Sequence, residues 1–399
     1  MPVSSTVGRQ IVSPGIDRLL TVDRRLIAGR RVGLVCNPAS VDGRLVHTAD
    51  RLLEDPDVTL AALFGPQHGF RSDLQDNMIE TPHGRDCRRR VPVFSLYSDT
   101  REPTADMLEG LDVLVVDLQD VGTRVYTYIY TMANCMRAAA RRDLPVVVCD
   151  RPNPIGGDEV EGACLQETCS SFVGQFPIPM RHGMTIGELA RLFNDDFGIG
   201  AHLEVVTLEG WRRSMYFDET GLPWIIPSPN IPTLDSAVVY PGAVLVEGTK
   251  LSEGRGTTRP FEIIGAPWID GERLAAAMNA RGLPGVHFRP VFFEPTFQKH
   301  ARQSCGGCQI HVLDRRAFAP LRSTVELLDE FRREDPARFA WREPPYEYEH
   351  DKEPIDILYG SDRLRRTLDE GGSVATLVDS WDADEERFRR QREPYLLYT

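Results

Sequence analysis

Five short apolar runs, RVGLVCN, VTLAALFG, VPVFSLYS, DVLVVDLQ and PVVVCDR, follow one another in the first part of the chain, and each ends abruptly in turn-forming or polar residues. Between the fourth and fifth lies YTYIYTMANCMRAAARRDL, whose alanines and apolar spacing suit a helix packed on a sheet. Continuous apolar strands separated by helices are buried on both faces, which requires a parallel sheet with helices on each side. The expected fold class is therefore α/β, built on a Rossmann-like parallel sheet.

That class says where chemistry should lie, because open α/β sheets bind ligands beyond the carboxyl ends of their strands. The first run ends in Asn37-Pro38 and the second in Gly65-Pro66-Gln67-His68. The fourth ends in Asp117-Leu118-Gln119-Asp120 and the fifth in Asp150-Arg151-Pro152-Asn153. Turn formation and helix capping account for Asn37 and Asn153. They account poorly for Gln67, His68 and Gln119.

At 399 residues the chain exceeds what one core usually organises. We divide it into residues 1–230, the Rossmann-like domain, and 231–399, a smaller α+β auxiliary domain, because WRRSMYFDETGLPWIIPSPNIPTL is rich in Pro, Trp and turn residues. The glycine-rich stretch YPGAVLVEGTKLSEGRGTTRPFEIIGAPW follows and reads as an ordered functional loop more than a core element. Beyond it, DGERLAAAMNARGL and AFAPLRSTVELLDEFRRED read as helices, and GVHFRPVFFEP and GCQIHVLD as strands. DADEERFRRQRE reads as a solvated helix face.

A formal charge of −13 opposes attraction to nucleic acid or to an anionic membrane face. No apolar run approaches the length that crosses a bilayer, and MPVSSTVGRQIVSPGIDRLL lacks the pattern of an export signal, so a cytoplasmic location is expected. Eight cysteines are too sparse for a disulfide scaffold, and Cys305 with Cys308 is read as a structural pair. No G-x-G-x-x-G, phosphate loop, H-E-x-x-H or G-x-S-x-G motif is present, and neither metal nor cofactor is expected. A hard-cation site made from Asp73, Asp76, Asp117, Asp120 and Asp150 is the lesser alternative. What remains is a set of carboxylates, amides, a histidine, arginines and tyrosines, which suits a sugar.

The segments GLVCNPASVD, FGPQHGFRSDLQDN, PVFSLY, VLVVDLQDVGTRVYTYIYTM, VCDRPNPIGG, MRHGMTIGELA, PSPNIPT, YPGAVLVEGTKLSEGRGTTRPFE and YLLY are spread over nearly the whole chain. Together they resemble the exo-acting β-N-acetylmuramidases, which release N-acetylmuramic acid from the non-reducing ends of peptidoglycan fragments. The resemblance implies a Rossmann-like domain joined to a smaller one with the active cleft between them. It also implies substrate contacts from Gln67, Arg71, Gln119, Arg124, Tyr126, Asn153, His182, Asn230, Glu253 and Arg255.

One position departs from the family pattern. Where the muramidases read Pro-Glu-His-Gly with a glutamate thought to be catalytic, this chain has Gln67, and an amide cannot exchange a proton usefully near neutral pH. The candidates for the chemistry are then Glu247 and Glu262, which flank the glycine-rich stretch, with Asp117 and His68; Glu80 follows the second-strand loop. An N-acetylated sugar can use its own acetamido carbonyl as nucleophile, so loss of one carboxylate is survivable. A lactyl carboxylate would call for Arg71, Arg124 or Arg255. The expected activity is removal of a terminal N-acetylated amino sugar; the alternative is a sugar-binding or sensing protein that kept the cleft without the catalysis.

Overall fold

The computed structural model describes residues 11–76 and 78–399. The first ten residues, on which part of the export-signal reading rests, and Asn77 of the FGPQHGFRSDLQDN segment lie outside the described residues.

Seven strands form the main sheet: β1 Arg31–Cys36, β2 Thr59–Gly65, β3 Gly84–Asp86, β4 Val91–Ser95, β5 Val113–Asp117, β6 Val146–Cys149 and β7 Leu203–Val206. Their order is β3-β4-β2-β1-β5-β6-β7, and every neighbouring pair is parallel except β3 with β4. The α/β expectation therefore describes the architecture, with the five apolar runs as β1, β2, β4, β5 and β6. The sequence pattern missed the short edge strands β3 and β7, whose partly exposed residues lack a continuous apolar run.

The two faces of the sheet separate residue by residue. Val35, Leu114, Val116, Val146 and Val148 pack with the helix Tyr128–Ala140 and the helix Ile186–Asp195. Val32, Leu34, Val113, Val115 and Val147 pack on the other face with Ile16, Leu19 and Leu52. Alternate residues of a strand point to opposite sides, so a run apolar at every position is what coverage on both sides demands.

A second, antiparallel sheet has the order β8-β10-β9, with β8 Ile263–Ala266, β9 Val286–Phe293 and β10 Cys305–Val312. The helix Gly271–Ala280 packs on it, and the helix Pro320–Glu334 lies against the helix Leu234–Ala243. Cys305 and Cys308 are free buried thiols on β10. The chain ends back on the large sheet, where Tyr398 Oη donates to Asp150 Oδ2 at 2.5 Å. Among the described residues no helix is long and apolar enough to cross a membrane.

Because β1 lies between β2 and β5, the direction of winding reverses at β1, and the crevice outside β1 and β5 is where such sheets usually bind ligands. Here the proline-rich stretch lies across it and leaves a small pocket. Asn37 Nδ2 and Tyr128 Oη both donate to the Pro227 carbonyl, at 2.7 and 2.8 Å, and Leu222, Pro223 and Ile225 lie over Gln119 and Arg151. The stretch read from sequence as a domain change lies across these strand ends.

Candidate active site

The open polar tip belongs to β2. After Gly65 the chain turns through Pro66 and Gln67 into His68 (φ 69°) and Gly69 (φ 80°), two successive left-handed residues. A left-handed histidine costs backbone energy, and such strain persists where surrounding contacts fix it. His68 Nδ1 donates to the Leu74 carbonyl at 2.7 Å, which leaves Nε2 as the acceptor nitrogen. Burial, reinforced by the nearby Arg255 charge, lowers its pKa to about 4, so the imidazole is neutral at pH 7.

Gln67 is buried and fully engaged. Its Oε1 accepts from Thr127 Oγ1 at 2.7 Å, and its Nε2 donates to Tyr97 Oη and to Glu347 Oε1, each at 3.1 Å. Tyr97 Oη in turn donates to Glu347 Oε2 at 2.7 Å. Glu347 (φ 45°) and Tyr348 (φ 68°) form a second left-handed pair, facing the first. Burial raises the Glu347 pKa and the charge of Glu247 adds to the rise, against the hydrogen bonds from Tyr97 and Gln67.

Glu247 has the opposite polarity. Burial alone would push it up, but the Arg255 and Lys299 charges together with hydrogen bonds from Arg255 Nη2 at 2.7 Å and Tyr346 Oη at 2.8 Å outweigh that, and the carboxyl is held below its ordinary range. Arg255 also meets Glu253, whose other oxygen accepts from Lys299 Nζ at 2.8 Å. The backbone on either side of Arg255 is left-handed, at Gly254 (φ 79°) and Gly256 (φ 78°), where a side chain would be strained. Glu247 itself sits on the 3₁₀ helix Val244–Gly248, which continues the helix Leu234–Ala243, so this part of the glycine-rich stretch is helical where a loop was expected.

These groups line one cavity, walled by Tyr126, Tyr128, Tyr240 and Phe261 and closed by Ser228 and Asn230. Asn230 Nδ2 donates to the Gln75 carbonyl at 2.8 Å, which ties the β2 loop to the segment after residues 222–228. The chamber thus offers one ionised carboxylate, one carboxyl pushed toward its neutral form, a neutral imidazole, amides and aromatic faces.

Six residues anticipated from sequence meet there: Gln67, His68, Tyr126, Asn230, Glu247 and Arg255. Glu253 stands behind Arg255 as its second carboxylate. The others are placed elsewhere. Asp117 is fully buried beneath the 222–228 stretch, bound by Arg151 Nε at 2.6 Å, Arg151 Nη2 at 2.9 Å and Thr48 Oγ1 at 2.5 Å. Gln119 Nε2 donates to the Asp120 and Pro152 carbonyls, and Asn153 Nδ2 to the Met184 carbonyl. His182 Nδ1 accepts from Met184 N, and its Nε2 lies 3.3 Å from Asp120 Oδ2. Glu262 is held by Ser236 and Arg259 in a different depression. Arg71 is exposed on a neighbouring pocket, and Glu80 is exposed beside Arg101. Arg124 is wholly buried and donates to the Leu358 carbonyl. Of the three arginines considered for a lactyl carboxylate, Arg255 alone lines the cavity, and its charge is already shared between two glutamates.

Sequence reasoning overlooked Tyr97, Thr127, Tyr240, Tyr346 and Glu347. The usable signal was PPYEYE at 344–349, where acids alternate with aromatics directly behind a proline pair. The strand-end aspartates do not converge: Asp150 is taken by Thr185, Gly187 N and Tyr398, and Asp120 Oδ2 by Gly122 N. Among the described residues no group of three or more His, Cys, Asp or Glu side chains is placed to hold a metal ion.

Comparison with known proteins agrees along the whole chain. Residues 32–235 match the N-terminal model, and residues 238–398 the C-terminal model, of the exo-β-N-acetylmuramidase NamZ. The peptidoglycan β-N-acetylmuramidase NamZ of Bacillus subtilis (strain 168) is 44% identical over 395 residues, covering 99% of this chain and 93% of that protein. A crystal structure of a DUF1343 family protein from Bacteroides fragilis NCTC 9343 superposes with a TM-score of 0.89 at 37% identity, covering 98% of this chain and all of that one. A second from the same organism gives 0.75 at 28%, covering 97% and 99%. A chain matched by both halves of the model, in order, with the fold of these relatives, belongs to the exo-β-N-acetylmuramidase NamZ family.

Proposed function

We propose that the cavity around Gln67, His68, Glu247, Arg255 and Glu347 is the active site of an exo-acting glycoside hydrolase. Its substrate is a terminal N-acetylated amino sugar, β-linked N-acetylmuramic acid, at the non-reducing end of peptidoglycan fragments. The observation that carries this reading is the convergence of two carboxyl groups of opposite polarisation in one aromatic-walled chamber, in a chain 44% identical to a peptidoglycan β-N-acetylmuramidase.

Each part has a task in such a reaction. Tyrosine faces cover the apolar side of a pyranose while Asn230 and Ser228 meet its hydroxyl and acetamido groups. Glu247, kept ionised by Arg255 and Tyr346, stabilises the positive charge that develops at the anomeric carbon and acetamido nitrogen. With an amide at position 67, the substrate's own acetamido oxygen supplies the nucleophile. All eight cysteines are free, which fits work in a reducing compartment, the cytoplasm, on fragments already inside the cell.

The test is incubation of the purified chain with the disaccharide N-acetylmuramyl-N-acetylglucosamine and with aryl β-N-acetylmuraminides and β-N-acetylglucosaminides. Free N-acetylmuramic acid is expected, with the glucosaminides left intact. A chain that binds these sugars but releases nothing would overturn the hydrolase reading.

A further inference from the structure

We propose that Glu347 is the proton donor of this reaction and that Gln67 is its positioning residue, the acid residing in the 346–348 turn and not at the tip of β2. The inference deepens the proposed function and rests on it.

With Glu347 ionised, the hydrogen bonds around Gln67 fix how its amide is read. Glu347 and Tyr97 both lie on its Nε2 side, and Thr127 Oγ1 lies on its Oε1 side at 2.7 Å. Tyr97 Oη accepts from Gln67 and from Met78 N, so its one proton goes to Glu347 Oε2. Glu347 is therefore gripped at both oxygens by neutral donors, and among the described residues it forms no salt bridge. Its proton must then lie along a lone pair that neither donor occupies. A carboxylate at position 67 would instead put two like charges about 3 Å apart, and one proton would be shared between them. The amide removes that ambiguity and leaves a single acid.

Division of labour between the carboxyls points the same way. Glu247 has Arg255 at 2.7 Å and is held ionised, which disqualifies it as a donor; burial and the Glu247 charge press Glu347 toward the protonated form, against the Arg101 charge over the Tyr97 and Tyr348 rings, and the net direction is upward. Glu347 gives its proton to the glycosidic oxygen as the C1–O bond breaks, the electron pair passing to that oxygen. The acetamido oxygen closes on C1. Water then bonds to C1 and gives a proton back to Glu347 as the acetamido group reopens.

The experiment compares two substrates on the full chain: a dinitrophenyl β-N-acetylmuraminide, whose leaving group departs without protonation, and the disaccharide, whose leaving group needs a proton. Glu347→Gln is expected to cut kcat/KM on the disaccharide by about 10²–10⁴-fold while the dinitrophenyl glycoside loses less than about tenfold. Tyr97→Phe, which removes a hydrogen bond that favours ionised Glu347, is expected to move the alkaline limb of the disaccharide pH profile upward; it carries the test where Glu347→Gln does not fold. Equal losses on both substrates, intact disaccharide turnover in Glu347→Gln, or an unmoved alkaline limb in Tyr97→Phe would overturn the assignment. A wild-type chain that turns over neither substrate would instead overturn the hydrolase reading, and this assignment with it.

Discussion

At the ends of β5 and β6 the chain places Asp117, Gln119, Asp150 and Asn153; at the end of β2 it places Gln67 and His68. The two regions look alike as sequence and lie on the same edge of the same sheet. Their polar atoms have different fates. Arg151, Thr48, Thr185, Tyr398, Gly187 N and the carbonyls of Asp120, Pro152 and Met184 pair the first group, and the 222–228 stretch lies across the crevice above it. The second group is held by its own loop, by Tyr97 and Thr127, and by Glu347, 280 positions further along the chain, and it faces a cavity. Strand-tip polarity thus marks where a sheet can host chemistry, while the fate of each lone pair and proton decides whether it does.

The contrast can be broken by removing one charge from each region. Asp117→Asn leaves the buried Arg151 without its carboxylate and should lower unfolding free energy by about 3–5 kcal/mol in urea titrations. Turnover per folded molecule should stay unchanged. Glu247→Gln should lower kcat by about 10²–10³-fold in glycoside hydrolysis, the scale of a lost electrostatic stabiliser. A larger kinetic loss in Asp117→Asn than in Glu247→Gln would reverse the roles given to the two regions.

His68 supplies a pH test of the β2 tip. Its pKa is about 4 when folded against an ordinary 6.5, so the unfolded chain binds the extra proton between those values. Its stabilising contribution is complete above pH 6.5 and lost as pH falls toward 4, by about 3 kcal/mol in all. His68→Asn should therefore flatten the pH dependence of stability in that window relative to wild type, as read by urea midpoints at fixed pH steps. The smallest expected effects sharpen the comparison most: Gln119→Ala and Gln67→Ala each strand buried polar partners and should cost about 1–3 kcal/mol of stability. Only Gln67→Ala should shift the alkaline limb of the pH–rate profile.

The sheet was legible because burial on both faces leaves its mark at every residue of β5 and β6 and at all but the first of β1. The β2 half of the site was legible for a similar reason: Gln67 and His68 fit no capping role. Asp117 and Gln119 lie outside the Gln67 cavity, and sequence could not separate them from it because a carboxylate facing Arg151 and one facing a ligand are the same letter. Glu347 was invisible to strand and helix patterns, since a left-handed turn 280 residues from Gln67 in sequence is brought to it by tertiary packing alone. The glycine-rich stretch was read as a loop, yet Glu247 is presented by a 3₁₀ helix that runs on from a helix with Pro241 inside it.

The most direct measurement is a crystal structure of the chain with N-acetylmuramic acid bound. The sugar is expected in the chamber walled by Tyr126 and Tyr240, with its anomeric oxygen toward Glu347 and its acetamido group toward Glu247. Ordered sugar at the β1 and β5 tips, with the 222–228 stretch displaced and the chamber beside Gln67 empty, would contradict it.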